Sequence, residues 1–296
     1  MVATLSHIPA QSTELETLSY AEFLALVEKE FLSHPIVVNN RYTRWFSQGE
    51  ASISELRHFT QQFSVFSNLF LLAQLKKMLN ADSLESMRAA KEILANELGV
   101  VFNHAGQCNA TRSIHPDNTD QEGDPEFVST EGSIEGGTFR FGAAHFEWLL
   151  KFAKPLGLTF NDLGKRHHGT VSTLFFCDEL ARVYGSDDSS TAAGASFAIE
   201  NWAAAGFWQE LEDGLLHIRK QRIPDLSIAF FAWHNRLEAQ HAAHTHDELR
   251  DIFDDPQFNR EKFLAGGREM LEALAVFWNG LENDRLAGIS NVSMNS

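Results

Sequence analysis

The sequence predicts an all-α protein. Three observations carry this: seven prolines in 296 residues, apolar positions recurring at three and four, and no sustained alternation of apolar and polar residues. Short turns separate most of the periodic segments, and no internal repeat is present. The expectation is therefore one bundle domain over residues 18–285, with a loose tail at 1–17 and a frayed end at 286–296.

The elements follow in order. Ser19 with Glu22 and Ser52 with Glu55 have the spacing of capping boxes, in which each Ser accepts from the backbone and each Glu reaches back. They predict helices from Tyr20 to Ser33 and from Ile53 to Asn80, the second with Phe59, Phe63, Phe66 and Phe70 on one stripe. A third helix, capped by Asp82, is expected to reach Asn103, with His104 at its end. Residues 105–137 have the Pro, Gly, Asp and Ser content of a long irregular loop, and loops of that length often serve as lids. Helical periodicity resumes at Thr138–Ala153, Asn161–Tyr184, Ser189–Gln221, Asp225–Phe253 and Asn259–Asn283.

Composition narrows the function. The formal charge of −16 is spread along the chain and repels phosphate backbones and anionic membranes, so neither nucleic acid nor a membrane is an expected partner. No apolar run is long enough to span a bilayer, and the N-terminal stretch lacks the pattern of a signal peptide. Cys108 and Cys177 are too few for a disulfide framework, which fits a reducing cytoplasm; Cys177, in STLFFCDEL, reads as a buried inert thiol.

Six residues stand out as metal ligands: Glu97, His104, Glu200, His234, Glu238 and His241. Offsets of four and seven return to nearly the same face of a helix, so His234, Glu238 and His241 are placed to act together. Glu200 is the one acidic residue in the apolar, small-residue run SFAIENWAAAGFW, where a carboxylate needs a cation, a metal or a hydrogen-bond partner. Three carboxylates and three imidazoles suit two redox-active iron ions, with oxygen ligands bridging and nitrogens capping.

The order Glu, His seven later, an isolated Glu, then His-x3-Glu-x2-His resembles the heme-oxygenase-like di-iron oxidases. The resemblance covers residues 15–285 and rests on the six positions, with Glu238 standing where members mostly carry Asp. It implies a seven-helix fold, two iron ions, dioxygen as cosubstrate and oxidation of a small organic substrate through a peroxo-diferric intermediate. N-oxygenation of an amine or amino acid is the favoured reaction, ahead of oxidative decarboxylation or desaturation of a fatty or amino acid. An external electron donor and a homodimer are further expectations. Arg140, expected at the start of the helix after the loop, and His145 are candidate substrate contacts.

Other readings stay open at this point. A ferritin-like di-iron bundle would use Glu22, Glu55, His58 and Glu200 with Glu238 and His241. A metal-free enzyme of the thiamin-degrading type would need Cys177 as nucleophile. A heme oxygenase would need a glycine-rich distal helix, which is missing, and a non-catalytic helical binding protein leaves Glu200 without a role.

Overall fold

The computed structural model describes residues 15–101, 132–134, 137–141 and 144–288; at Glu85, Asn96, 100–101, 132–134, 137–141 and 237–244 only the backbone is described. The N-terminal tail to residue 14, most of the expected lid and the C-terminal end from residue 289 lie outside the described residues.

Helix α1 (Tyr20–Leu32) starts at the Ser19–Glu22 capping box. The short helices α2 (Pro35–Val38) and α3 (Arg41–Phe46) lead to α4 (Ile53–Leu79), which starts at the Ser52–Glu55 box. Phe59 and Phe63 of α4 are buried, and Phe66 and Phe70 pack against the same core. Residues 15–17, part of the expected loose tail, are held at both ends: Arg260 donates to the carbonyls of Leu15 and the adjoining Leu18 at 2.7 and 2.8 Å.

Helix α5 (Leu84–Glu97) differs from expectation at both ends. Its first turn is capped by Ser83, whose hydroxyl accepts from Ser86 N at 3.0 Å, rather than by Asp82. It stops at Glu97, not near Asn103, because Gly99 takes a left-handed φ of 70° and turns the chain into a strand. That strand, β1 (Val100–Val101), pairs antiparallel with β3 (Gly137–Phe141), which also pairs with β2 (Gly132–Ile134) in the order β1-β3-β2. The expected helix at Thr138 is therefore strand at first and becomes helix α6 only at His145–Ala153.

Two further boundaries shift. Between 160 and 168 the chain forms short 3₁₀ turns, and helix α7 (Val171–Val183) begins only after Thr170, whose hydroxyl accepts from Thr173 N at 3.3 Å. The long helix expected from Ser189 is α8 (Ser189–Trp202) and α9 (Trp208–Gln221), joined by a π turn at Ala203–Phe207 in which Gly206 takes a φ of 105°. Helices α10 (Ala229–Ile252) and α11 (Arg260–Leu286) complete the bundle.

Helix α11 packs closely along α8. A Cβ on Gly194 would sit 1.9 Å from the Phe263 carbonyl oxygen, and one on Gly266 would sit 2.3 Å from that of Thr191. The two backbones touch because neither glycine has a side chain there. The core between the helices is aromatic, with Phe23, Phe31, Phe46, Phe59, Phe63, Phe176, Phe231, Phe277 and Trp278 almost fully buried. Such rings bury much apolar area at little rotamer cost. Among the described residues, no helix is long and apolar enough to cross a membrane.

Candidate metal centre

The small sheet brings two distant residues together. Val100 is paired with Phe141, so the chain entering β1 from Glu97 and the chain leaving β3 toward His145 lie side by side. Glu97, the last residue of α5, consequently meets His145, the first residue of α6, with Oε2 and Nδ1 2.8 Å apart. His234 on α10 completes the group, its ring centroid 4.8 Å from that of His145. One ligand atom from each of Glu97, His145 and His234 lies within 4.8 Å of the other two.

Both imidazoles are held firmly. His234 Nδ1 lies 2.6 Å from the Phe230 carbonyl oxygen; because a carbonyl only accepts, Nδ1 carries a proton, and in the neutral ring the lone pair is the one on Nε2. A backbone carbonyl on one nitrogen is how metal-ligating histidines are commonly oriented through the other. Trp208 stacks on His234 at 4.5 Å and 21°, while Trp233 meets the edge of His145 at 4.6 Å. Trp148 and Phe230 close the wall, 5.4 and 5.9 Å from His145.

His145 Nδ1 is buried and has no hydrogen-bond partner, although Glu97 Oε2 is 2.8 Å away. The close approach lies off the ring N–H axis, so it is a contact and not a hydrogen bond. Unmatched buried nitrogen is costly, and a carboxylate oxygen aimed beside it instead of along it suits two lone pairs converging on one ion. Two donors each about 2.1 Å from a common ion lie at most about 4.2 Å apart. The present spread of up to 4.8 Å exceeds that limit by about 0.6 Å, so the side chains would close by that much around an ion. Two imidazoles and one carboxylate form the donor set typical of non-heme iron with open coordination positions. The residues fit a metal ion.

The other expected ligands stand differently. His104 lies outside the described residues. Glu238 and His241 are in α10, four and seven positions after His234, but their side chains are likewise outside the described residues. Glu200, on α8, is not in the described trio. Its charge bears on Lys77 of α4 and Tyr184, a pairing the sequence reading missed. Lys77 Nζ donates to Ser196 Oγ at 2.8 Å, lies 3.8 Å from Glu248 Oε1 and sits 5.0 Å over the Tyr184 ring. Burial lowers the Lys77 pKa, but Tyr184, Glu248 and Glu200 together raise it by more, so the ammonium stays charged. Tyr184 itself, buried and receiving Gln74 Nε2 at 2.8 Å, is pushed up to about 12 mainly by burial.

Arg140 is in β3, paired with Val101, and not at a helix start; its side chain is outside the described residues. His145, expected as a substrate contact, is instead one of the three converging groups. A sequence signal for this existed in GTFRF, where Thr138, Phe139 and Phe141 combine β-forming residues behind a glycine pair.

By sequence, no family profile and no curated protein matches the chain. By structure, two solved proteins superpose over nearly its whole length. One is a domain of unknown function with a heme oxygenase-like fold from Shewanella denitrificans OS217, with a TM-score of 0.58 and 13% identity, covering 95% of this chain and 99% of that one. The other is a CADD-like protein of unknown function from Nostoc punctiforme PCC 73102, with a TM-score of 0.57 and 18% identity, covering 93% of this chain and 100% of that one. The chain has a heme-oxygenase-like fold.

Within this heme-oxygenase-like fold the rival site readings lose their residues. Glu22 and Glu55 are bound into their capping boxes and His58 pairs with Asp284 at 2.9 Å, so the ferritin-like set does not assemble. Cys177 is buried and its thiol is pushed up to about 12, first by burial and then by Asp178, which opposes a thiolate nucleophile.

Proposed function

We propose that this chain is a non-heme iron oxidase or oxygenase acting on a small organic substrate. The convergence of Glu97, His145 and His234 inside an aromatic wall carries the reading. An iron ion held by these three supplies dioxygen activation when bound. The protein's own groups do the rest. Phe230 holds the His234 tautomer, the β1–β3 pairing sets Glu97 against His145, and Trp148, Trp208 and Trp233 keep water from the ligands.

The favoured reaction is oxygenation at the nitrogen of a small amine or amino acid. Indole faces attract cations, and the chain's net charge of −16 concentrates them, so both the wall and the field suit an amine. Oxidative decarboxylation or desaturation at the same centre is the competing outcome.

The full six-residue set would hold a second ion through Glu238 and His241 with Glu200 and His104. One observation favours a single ion: Glu200 already has Lys77 as a counter-charge. Anaerobic loading with ferrous iron followed by metal analysis tests both forms. We expect Glu97→Ala, His145→Ala and His234→Ala each to abolish binding at the trio, and undiminished iron in all three would overturn the proposal. Two ions per chain, one of them lost in Glu200→Ala, would establish the di-iron form. Mixing the loaded protein with dioxygen and candidate amines, amino acids and medium-chain acids, with products identified by mass spectrometry, then decides the reaction.

A further inference from the structure

All six tryptophans of the chain belong to one network of touching rings that includes the trio. Trp148 and Trp233 lie against His145, and the other four lead away from it. From His234 the steps run to Trp208 at 4.5 Å, to Phe207 at 4.5 Å and to Trp202 at 4.0 Å. They continue to Trp278 at 6.1 Å, Tyr42 at 5.9 Å and Trp45 at 5.3 Å. Every ring before the last is buried, whereas Trp45 is half-buried.

Burial of apolar area explains rings in a core, but not this choice of ring. Indole carries an N–H that a core has to satisfy, and Nε1 of both Trp202 and Trp278 is buried with no hydrogen-bond partner. Phenylalanine, used 24 times in this chain, would avoid that cost. What indole adds is an electron-rich ring that gives up one electron more readily than any other apolar side chain. The radical cation so formed is acidic at Nε1, and it is trapped as a neutral radical once a neighbour takes the proton. At Trp202 and Trp278 no neighbour accepts it, so the proton stays and the positive hole is free to pass to the next ring. Stacked ring faces stabilise such a charge as they do any cation, and the chain's net charge of −16 acts in the same sense. At the far end Arg285 stands 4.4 Å over Trp45, but Glu282 pairs with it at 2.7 Å, so the last ring does not face an unbalanced positive charge.

We propose that these rings form a relay that carries oxidising equivalents from the metal trio to Trp45. The inference rests on the iron reading above, and it gives the protein a way to discharge the centre when peroxide meets it without a substrate. Reduction of hydrogen peroxide to two water molecules takes two electrons and two protons. Each electron leaves Trp208 and is replaced from Trp202, then from Trp278 and then from Trp45; Phe207 and Tyr42 bridge the gaps and are not themselves oxidised. A one-electron reductant of the ascorbate class refills Trp45 and releases one proton with each electron. Two ascorbate monoanions and one peroxide thus give two waters and two ascorbyl radicals, and no proton travels along the rings.

Two arms test the relay. In the first, the iron-free full-length chain with Cys108→Ser carries a ruthenium polypyridyl photo-oxidant on Gln209→Cys, an exposed position next to Trp208; Cys177 is buried and does not compete for the label. Flash photolysis with a soluble electron acceptor should give the transient absorption of a tryptophan radical cation and, by peptide mass spectrometry, oxygen added at Trp45. Trp202→Phe and Trp278→Phe should each remove most of that product. In the second arm the ferrous-loaded chain meets hydrogen peroxide without substrate. Trp45 should be the most heavily oxidised tryptophan, ascorbate should suppress the product, and His145→Ala, without iron at the trio, should leave Trp45 unmodified. No Trp45 product in the first arm, an undiminished one in both Trp202→Phe and Trp278→Phe, or oxidation confined to Trp148 and Trp233 in the second arm would overturn the relay. A working relay in the first arm with no tryptophan oxidised in the second would overturn the trio as its source, and the iron content of the same samples shows whether the iron reading fails with it.

Discussion

Two polar groups sit in this largely aromatic core, and they solve the same problem in opposite ways. Around Lys77, carboxylates from Glu200 and Glu248 are balanced by an ammonium from within the chain. Around His145, a carboxylate and two imidazoles converge. The first group is finished as it stands, with Ser196, Tyr184 and Gln74 supplying hydrogen bonds and ring contact. The second leaves His145 Nδ1 unmatched. The difference separates a structural ion cluster from a group whose geometry could hold an ion from outside, since buried carboxylates require compensation from somewhere.

The largest expected effect comes from removing the cation of the finished cluster. Lys77→Met leaves Glu200 and Glu248 without their partner. The cost should fall near about 3 kcal/mol, the low end for breaking a buried pair, because solvent reaches part of Glu248. Urea denaturation of the iron-free chain measures it. Iron uptake at the trio should be unaffected; a gain of a second iron ion in this variant would instead show that Lys77 occupies the role of a metal at Glu200.

Next in size is the mirror experiment. Excess ferrous iron at about 100 times its dissociation constant should stabilise the parent chain by about 2.7 kcal/mol. Thermal denaturation with and without iron should show that gain in Lys77→Met and no gain in His145→Ala. An iron-induced shift of equal size in His145→Ala would remove His145 from the centre and return it to the core.

How much of this was legible in the sequence follows from where the determinants lie. Helix starts at Ser19 and Ser52 were legible because a capping box is complete within four residues. The start of α7 was not, because the 3₁₀ turns before it are fixed by contacts from α4: Gln62 Nε2 donates to the His168 carbonyl at 2.8 Å, and Asn68 Nδ2 to that of Gly164 at 3.0 Å. Periodicity also passed straight through Gly206, whose left-handed φ divides α8 from α9. At the site, Glu97 and His234 were named from spacing, whereas the role of His145 depends on β1 pairing with β3 across some 35 intervening positions, a long-range contact that no local pattern contains. Glu200 was named as a metal ligand, whereas Lys77, in the basic last turn of α4, carries no local sign that Glu200 bears on it. A side chain's partner is a property of the packing, and only its demand for one is written locally.

The smallest effect concerns how the finished cluster is anchored. Asp188 caps α8, the helix that carries Ser196 and Glu200, accepting from Thr191 N at 3.0 Å and pairing with Lys262. Burial pushes its pKa up, but Lys262 and the Thr191 hydrogen bonds outweigh that and hold it below the ordinary value. A carboxyl lowered on folding adds stability that is fully present above its unfolded value and is lost as pH falls through the folded one. The loss should therefore develop below about pH 4. Since Lys262 is exposed and Asp188 half-buried, screening keeps the contribution under about 1 kcal/mol. Asp188→Asn retains the capping oxygen and removes the titration. It should flatten this part of the acid limb of stability against pH, and amide exchange near α8 should lose its dependence on pH beyond the intrinsic one. The trio, at the far end of α10 from Glu248, should show no matching change, so an acid response of equal size at both groups would mean that they are one cooperative unit and not two.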